Sequence, residues 1–127
     1  MEEYRQLRVY QAAMELVRIV SQLTRRLPRT HEKLRKQLDD AVDGIGANIA
    51  EGCGRKNRLH GNTELIRYLH ISFGETNEVQ HRAETALIRQ FVTQREYWIV
   101  HNRAQCIKKM LRSWIDRLER DDRGRLY

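Results

Sequence analysis

Ile45-Gly46-Ala47-Asn48-Ile49-Ala50-Glu51-Gly52-Cys53-Gly54-Arg55 is the stretch on which the reading of this 127-residue chain turns. It closes a helical hydrophobic pattern, yet it is crowded with small residues, and Gly44 stands just before it. A glycine inside a helix costs about 0.5–1 kcal/mol relative to alanine. Gly44 and Gly46 therefore predict a compensating gain, the close approach of a neighbouring helix where no side chain holds it off. Gly52 and Gly54 are expected to supply the left-handed backbone angles that stop the helix. Asn48 lies on the flank of the apolar seam. Glu51 falls in the last turn, where the helix dipole disfavours a carboxylate, so it needs a partner. Arg55, four residues on, or a donor on another helix would serve. The structural reading has both Asn48 and Glu51 bonding across to the third helix.

Outward from this stretch, the same periodicity covers the chain. A first helix is predicted over residues 6–27, with Val9, Ala13, Leu16, Val20, Leu23 and Leu27 on one seam and Pro28 ending it. A second, 31–52, is capped by Thr30 and carries Leu34, Leu38, Ala41, Val42, Ile45 and Ile49. A third, 62–89, starts at a capping Asn62. Its seam reads Ile66, Leu69, Phe73, Thr76, Ala83 and Leu87, with Leu65, Val79 and Ala86 alongside and Gly74 placed to face the small residues of the second helix. After a turn at Gln90-Phe91-Val92, Thr93-x-x-Glu96 is a capping box opening a fourth helix, 94–120. That helix repeats Tyr97, Val100, Ala104, Ile107, Leu111, Trp114 and Leu118, and a frayed tail is expected over 121–127. Four amphipathic helices with short connections define an all-α, antiparallel up-down-up-down four-helix bundle in a single domain, 1–127.

The charge says more about partners than about fold. Twenty-four Lys and Arg against seventeen Asp and Glu leave a formal charge of +7, which favours a polyanionic partner, nucleic acid first. No run is apolar enough for a membrane span and no signal peptide is read, so a cytoplasmic protein is expected. Cys53 and Cys106 lack C-x-x-C spacing and read as packing residues. Glu78-x-x-His81 has the spacing of half a bundle di-metal site, but no second copy accompanies it, so no metal or other cofactor is expected. Nor do nucleophile, base and acid residues converge, and no enzyme activity is expected. The basic loop Arg55, Lys56 and Arg58, with Arg103, Lys108, Lys109 and Arg112 on the fourth helix, forms the expected phosphate-contacting set. Tyr68, Ile71, Trp98, Ile99, Cys106 and Met110 lie off the main seams and are expected to make a self-association contact.

Asn48-Ile49-Ala50-Glu51-Gly52-x-Gly54-Arg55 resembles the signature of a family of bacterial four-helix bundle proteins named after intervening sequences in large-subunit ribosomal RNA genes. The likeness spans nearly the whole chain. It runs through Leu7-x-Val9-Tyr10-Gln11-x-Ala13, Gln37-Leu38 with Ala41, and Glu64-Leu65-Ile66-Arg67-Tyr68-Leu69-x-Ile71-x-x-Gly74. Gly46, Asn48, Glu51, Gly52, Gly54 and Gly74 make up its structural signature. Three positions depart from the pattern: Asp40 where a basic residue is common, Gly44 where serine is common, and Glu75 where serine often follows the glycine. The family is similar in fold to the accessory variability proteins of diversity-generating retroelements, pentameric bundles that bind nucleic acid and a reverse transcriptase. The resemblance thus implies a homopentameric, non-catalytic bundle binding RNA or DNA as accessory to a reverse transcriptase. The alternative is a protein–protein adaptor with no direct nucleic-acid role.

Overall fold

The computed structural model describes residues 3–56 and 61–125. Within them the chain forms α1 (Arg8–Thr24), α2 (Glu32–Gly54), α3 (Thr63–Ile88) and α4 (Gln94–Arg125), with 3-10 turns at Glu3–Gln6 and Arg29–His31. Each helix packs on its neighbours in sequence, α4 closes back on α1, and the backbones of the two diagonal pairs stay more than 8 Å apart at every Cα described. That square is the expected antiparallel four-helix bundle. No described helix is long and apolar enough to cross a membrane.

The seams of α1 and α2 bury the side chains the periodicity marked, from Val9 to Leu27 and from Leu34 to Ile49. Each fully buried leucine or isoleucine among them contributes about 1.5–3 kcal/mol relative to exposure. On α3 the buried face is rotated from the expected one. It runs Leu65, Leu69, Ser72, Thr76, Val79, Ala83 and Ala86, while Ile66, Phe73 and Leu87 sit half-buried beside it. Ser72 is tolerated there because its hydroxyl donates across to the Ile45 carbonyl (2.8 Å), and the Thr76 hydroxyl donates to the Ser72 carbonyl (2.8 Å). On α4, Ile115 takes a core place beside Leu111 and Leu118, while Tyr97 and Trp114 are half-buried.

The helix ends depart from expectation in several places. α1 stops at Thr24, and tight turns carry the chain on to a buried Leu27 before Pro28. Thr30 lies in a 3-10 turn and does not cap α2; its hydroxyl contacts His31 Nδ1 at 2.9 Å. Gly52 and Gly54 are both helical, and neither has a positive φ. The left-handed angles fall at Gly61 and Gln90 instead. Gln90 ends α3 with the Phe91 amide donating to the Ala86 carbonyl and its own to Leu87 (both 2.9 Å), the bond pair of a Schellman cap. The capping box at Thr93 forms as read: the Glu96 amide donates to Thr93 Oγ1 (3.1 Å), and the Thr93 amide donates to Glu96 Oε1 (2.9 Å).

Asn62 precedes α3 but its side chain does not cap it. It is buried, and both its backbone amide (3.1 Å) and its Nδ2 (3.0 Å) donate to the Asp122 carboxylate. Asp122 belongs to α4, which stays helical through Arg125 where a frayed tail was expected. This clasp joins the start of α3 to the last turns of α4. At the opposite end of the bundle, Arg26 pairs with Glu96 (2.6 Å) and the His31 ring meets Phe91 edge-on (4.4 Å between centroids).

Candidate nucleic-acid interface

Charge is segregated by helix. α2 and α3 together carry nine Asp and Glu against five Lys and Arg, whereas α4 carries nine Lys and Arg against five acids. Between Tyr97 and Ile115, α4 has four cations and no carboxylate. The bundle therefore turns one strongly basic helix outward beside a mildly acidic pair.

The α3-facing side of α4 gathers these cations around an aromatic floor. A groove of about 480 Å³ has Phe73 at its base and Lys108, Lys109, Arg112 and Arg120 on its walls, with Asp116 the carboxylate among its lining residues. The Lys108 ammonium lies 5.4 Å from the Phe73 ring centroid and the Arg112 guanidinium 4.9 Å, so the ring is flanked by positive charge. Lys108 is fixed further by donating to Gln80 Oε1 (3.1 Å), and Gln80 Nε2 in turn donates to Gln105 Oε1 (2.8 Å). Cations held in this way lose little side-chain freedom when an anion arrives.

The expected phosphate-contacting set divides in the structure. Lys108, Lys109 and Arg112 share the groove. Arg103 is exposed but lies nine residues from Arg112, about half a revolution round the helix, on the side that faces α1. Arg55 is committed to Glu51 (3.0 Å), which raises its guanidinium pKa, and it stands 5.7 Å from the Tyr68 ring. Lys56 is exposed and lines a small hollow with Cys53, whose thiol is pushed up by burial and only partly offset by that lysine. Arg58 lies outside the described residues. Phe73 was read as a core residue of the third helix, and Gln80 and Arg120 were not singled out in the sequence; the i, i+4 pair Lys108 and Arg112, opposite an aromatic on the facing helix, was the available signal.

The signature residues are sorted by what they touch. A Cβ on Gly52 would meet Tyr68 Cβ at 2.9 Å and the Leu65 carbonyl oxygen at 3.4 Å, so this glycine admits α3, whereas one on Gly46 would meet the end of the Met14 side chain, its Cε at 2.6 Å. Gly54 and Gly74 have open space where a Cβ would stand, so Gly74 does not face the small residues of α2. Asn48 does not reach α3: its Nδ2 donates to the Gly44 carbonyl of its own helix (2.8 Å). Glu51 takes the Arg55 partnership, not a donor on α3.

The expected self-association residues are not one stripe. Tyr68 packs on Gly52 with Arg67 over its ring (4.5 Å), and Ile71 is 38% exposed further along α3. Trp98 (52% exposed), Ile99 (40%) and Cys106 are exposed on α4, and Met110 sinks into a groove against α1. Glu78 is 3.7 Å from Arg82, and among the described residues no three His, Cys, Asp or Glu converge as metal ligands.

These features define an antiparallel four-helix bundle whose fourth helix presents an ordered cationic groove. The sequence matches the 23S rRNA-intervening sequence protein family over residues 5–113, and the chain belongs to that family. Among solved structures it is similar to a protein of unknown function from the S23 ribosomal protein family of Bacteroides thetaiotaomicron. The two share 26% identity at a TM-score of 0.73, over 84% of this chain and 97% of the other. No curated protein matches.

Proposed function

We propose that this protein is a non-catalytic nucleic-acid-binding bundle that grips phosphates along the α3-facing side of α4. The observation that carries the reading is the Lys108–Lys109–Arg112–Arg120 groove on a helix stretch nearly free of carboxylates. Phosphate contacts dominate the affinity of such proteins and position them without reading sequence. Phe73 already carries Lys108 and Arg112 on its ring, which suits it to orient cations. The family name ties its members to ribosomal RNA intervening sequences, which accords with an RNA or DNA ligand. Copies associate through Trp98, Ile99 and Cys106, and a pentameric ring would multiply weak contacts by raising effective concentration. A role as accessory to a reverse transcriptase rests on the fold-level likeness alone.

Binding to a labelled RNA hairpin and to duplex DNA, measured from low to high salt, tests this. The logarithm of affinity should fall linearly with the logarithm of salt, and Arg112→Glu should weaken binding at every sequence. Lys109→Ala should flatten the slope by about 0.9 for duplex DNA, one phosphate contact's worth. Absence of binding at low salt, or an Arg112→Glu protein that binds as the wild type does, refutes it.

A further inference from the structure

The other side of α4 has a different character. Where α1 and α4 diverge, a groove of about 490 Å³ opens with Leu7, Met110 and Trp114 along its floor and Arg8, Lys109 and Arg117 around its rim. A smaller hollow of about 200 Å³, also lined by Leu7 and Trp114, continues it beneath the Glu3–Gln6 turn. Among the described residues no carboxylate lines the larger groove, and none forms an ion pair with Arg8, Lys109 or Arg117. We propose that this groove is a docking site for an acidic amphipathic helix of a partner protein.

Three features select that occupant. Unpaired cations from both walls, Arg8 on α1 and Lys109 and Arg117 on α4, complement carboxylates, and an apolar floor complements an aliphatic stripe, so the fitting ligand is apolar on one face and acidic on its flanks. Nucleic acid meets only half of this, because half-buried leucine, methionine and tryptophan offer nothing to a phosphate backbone. The walls are helices, and the described residues form no sheet whose edge an extended peptide would join, which leaves the helix-in-groove mode. From Lys109 to Arg117 the groove follows α4 for about 12 Å, the length of two to three turns of a docked helix. The proposal does not depend on the nucleic-acid reading: the two grooves share Lys109, but Arg8, Met110, Trp114 and Arg117 line only this one, and Lys108, Arg112 and Arg120 only the cationic one.

The experiment measures fluorescence anisotropy of a labelled helical peptide of about four turns, with leucines spaced i, i+3, i+4, i+7 and glutamates on the flanks. Controls are a scrambled peptide of identical composition and a version with lysine for glutamate. Saturable binding of the acidic amphipathic peptide alone is expected. Met110→Glu and the rim change Arg117→Glu should each weaken it at least tenfold, and Arg112→Glu, across the helix, should leave it unchanged. Equal binding of the scrambled peptide, or indifference to Arg117→Glu, overturns the proposal. Circular dichroism reports whether Met110→Glu folds; should it not, the exposed Arg117 decides. If Met110→Glu or Arg117→Glu lowers the sedimenting mass of the peptide-free protein, a second copy occupies the groove and the proposal is likewise overturned.

Discussion

Alanine at Gly52 and alanine at Gly74 should move stability in opposite directions, although both glycines belong to the family signature and both lie inside helices. At Gly52 the new methyl would stand 2.9 Å from Tyr68 Cβ, 3.1 Å from Leu65 Cδ1 and 3.4 Å from the Leu65 carbonyl oxygen. Carbon atoms in contact rest about 3.5–4.0 Å apart, so α2 and α3 would have to separate by more than half an ångström. Tyr68 Cβ is fixed to its backbone and cannot swing aside. Overpacking of this kind costs about 1–3 kcal/mol, and the gain in helix propensity returns about 0.5–1 kcal/mol. Gly52→Ala should therefore lose about 1–2 kcal/mol. Gly74 meets no atom within 4 Å, so Gly74→Ala keeps the propensity gain and should be about 0.5–1 kcal/mol more stable than wild type. Urea unfolding at one fixed protein concentration, followed by circular dichroism, measures both, with an unchanged m value licensing the comparison. At roughly 4 °C per kcal/mol, the two variants should melt about 10 °C apart. A Gly52→Ala protein as stable as wild type, or a Gly74→Ala protein less stable, would refute the close-approach reading of the signature.

Asp122→Ala should destabilise the bundle by about 1–3 kcal/mol in the same urea assay, because it strands a buried Asn62 amide and side chain that both donate to that carboxylate. Glu75 and Glu96 should leave opposite marks on the pH dependence of stability. Burial, then the nearby charges of Glu78 and Asp40, raise the Glu75 pKa above the ordinary 4.5, so its ionisation on folding costs stability as pH rises from about 4.5 through that raised value; Glu75→Gln should be more stable at pH 7, with the advantage vanishing in acid. Hydrogen bonding from the Thr93 amide, reinforced by Arg26, lowers the Glu96 pKa, so its contribution is complete above about pH 4.5 and lost as pH falls through the lowered value; Glu96→Gln should cost stability at neutral pH and nothing in strong acid. Urea midpoints at several pH values check both signs.

The seams of α1 and α2 were legible because leucine, valine and isoleucine recur at three-four spacing with nothing to compete. The α3 seam was misjudged by part of a turn, and the reason is physical: hydropathy ranks Phe73 above Ser72, but a serine that donates to Ile45 on the facing helix is cheap to bury. Phe73 is then free to serve as the floor beneath Lys108 and Arg112. The ends were less legible than the middles. Asn62 looks like a cap by local rules, but its partner is Asp122, sixty residues away, and no window of sequence connects them. The glycine pattern gave close approach to Gly44 and Gly46 and read Gly52 as a helix stop, whereas Gly52 is helical and is the glycine that lies against Tyr68 Cβ and the Leu65 carbonyl of α3. Likewise the cations of α4 were all visible, but which of them share a side depends on the angle between Arg103 and Arg112 and on where α3 and α1 lie.

The three departures from the family pattern share one locality. A Cβ on Gly44 would stand 2.9 Å from Glu75 Cδ, so a residue with a side chain at 44 would occupy the space Glu75 now fills. Asp40, one turn before Gly44, is among the charges that raise the Glu75 pKa. Gly44 without a side chain and Glu75 with a long one thus fit each other across the α2–α3 contact, and with Asp40 the glutamate adds to the acidity of that flank. In the proposed function that flank disfavours a phosphate backbone, and α4 is the helix that attracts one. Held together by Gly52 and by the Ser72–Ile45 bond, α2 and α3 act as a rigid, mildly acidic plate. α4 is the helix left with a cationic groove on one side and an apolar trough on the other. Cancelling the net negative charge of the plate with Asp40→Lys and Glu75→Lys, at positions away from either groove, should let nucleic acid approach the α2–α3 face as well. Arg112→Glu should then weaken binding less in that background than in the wild type. If it weakens binding equally in both, the acidity of the plate has no part in orienting the ligand.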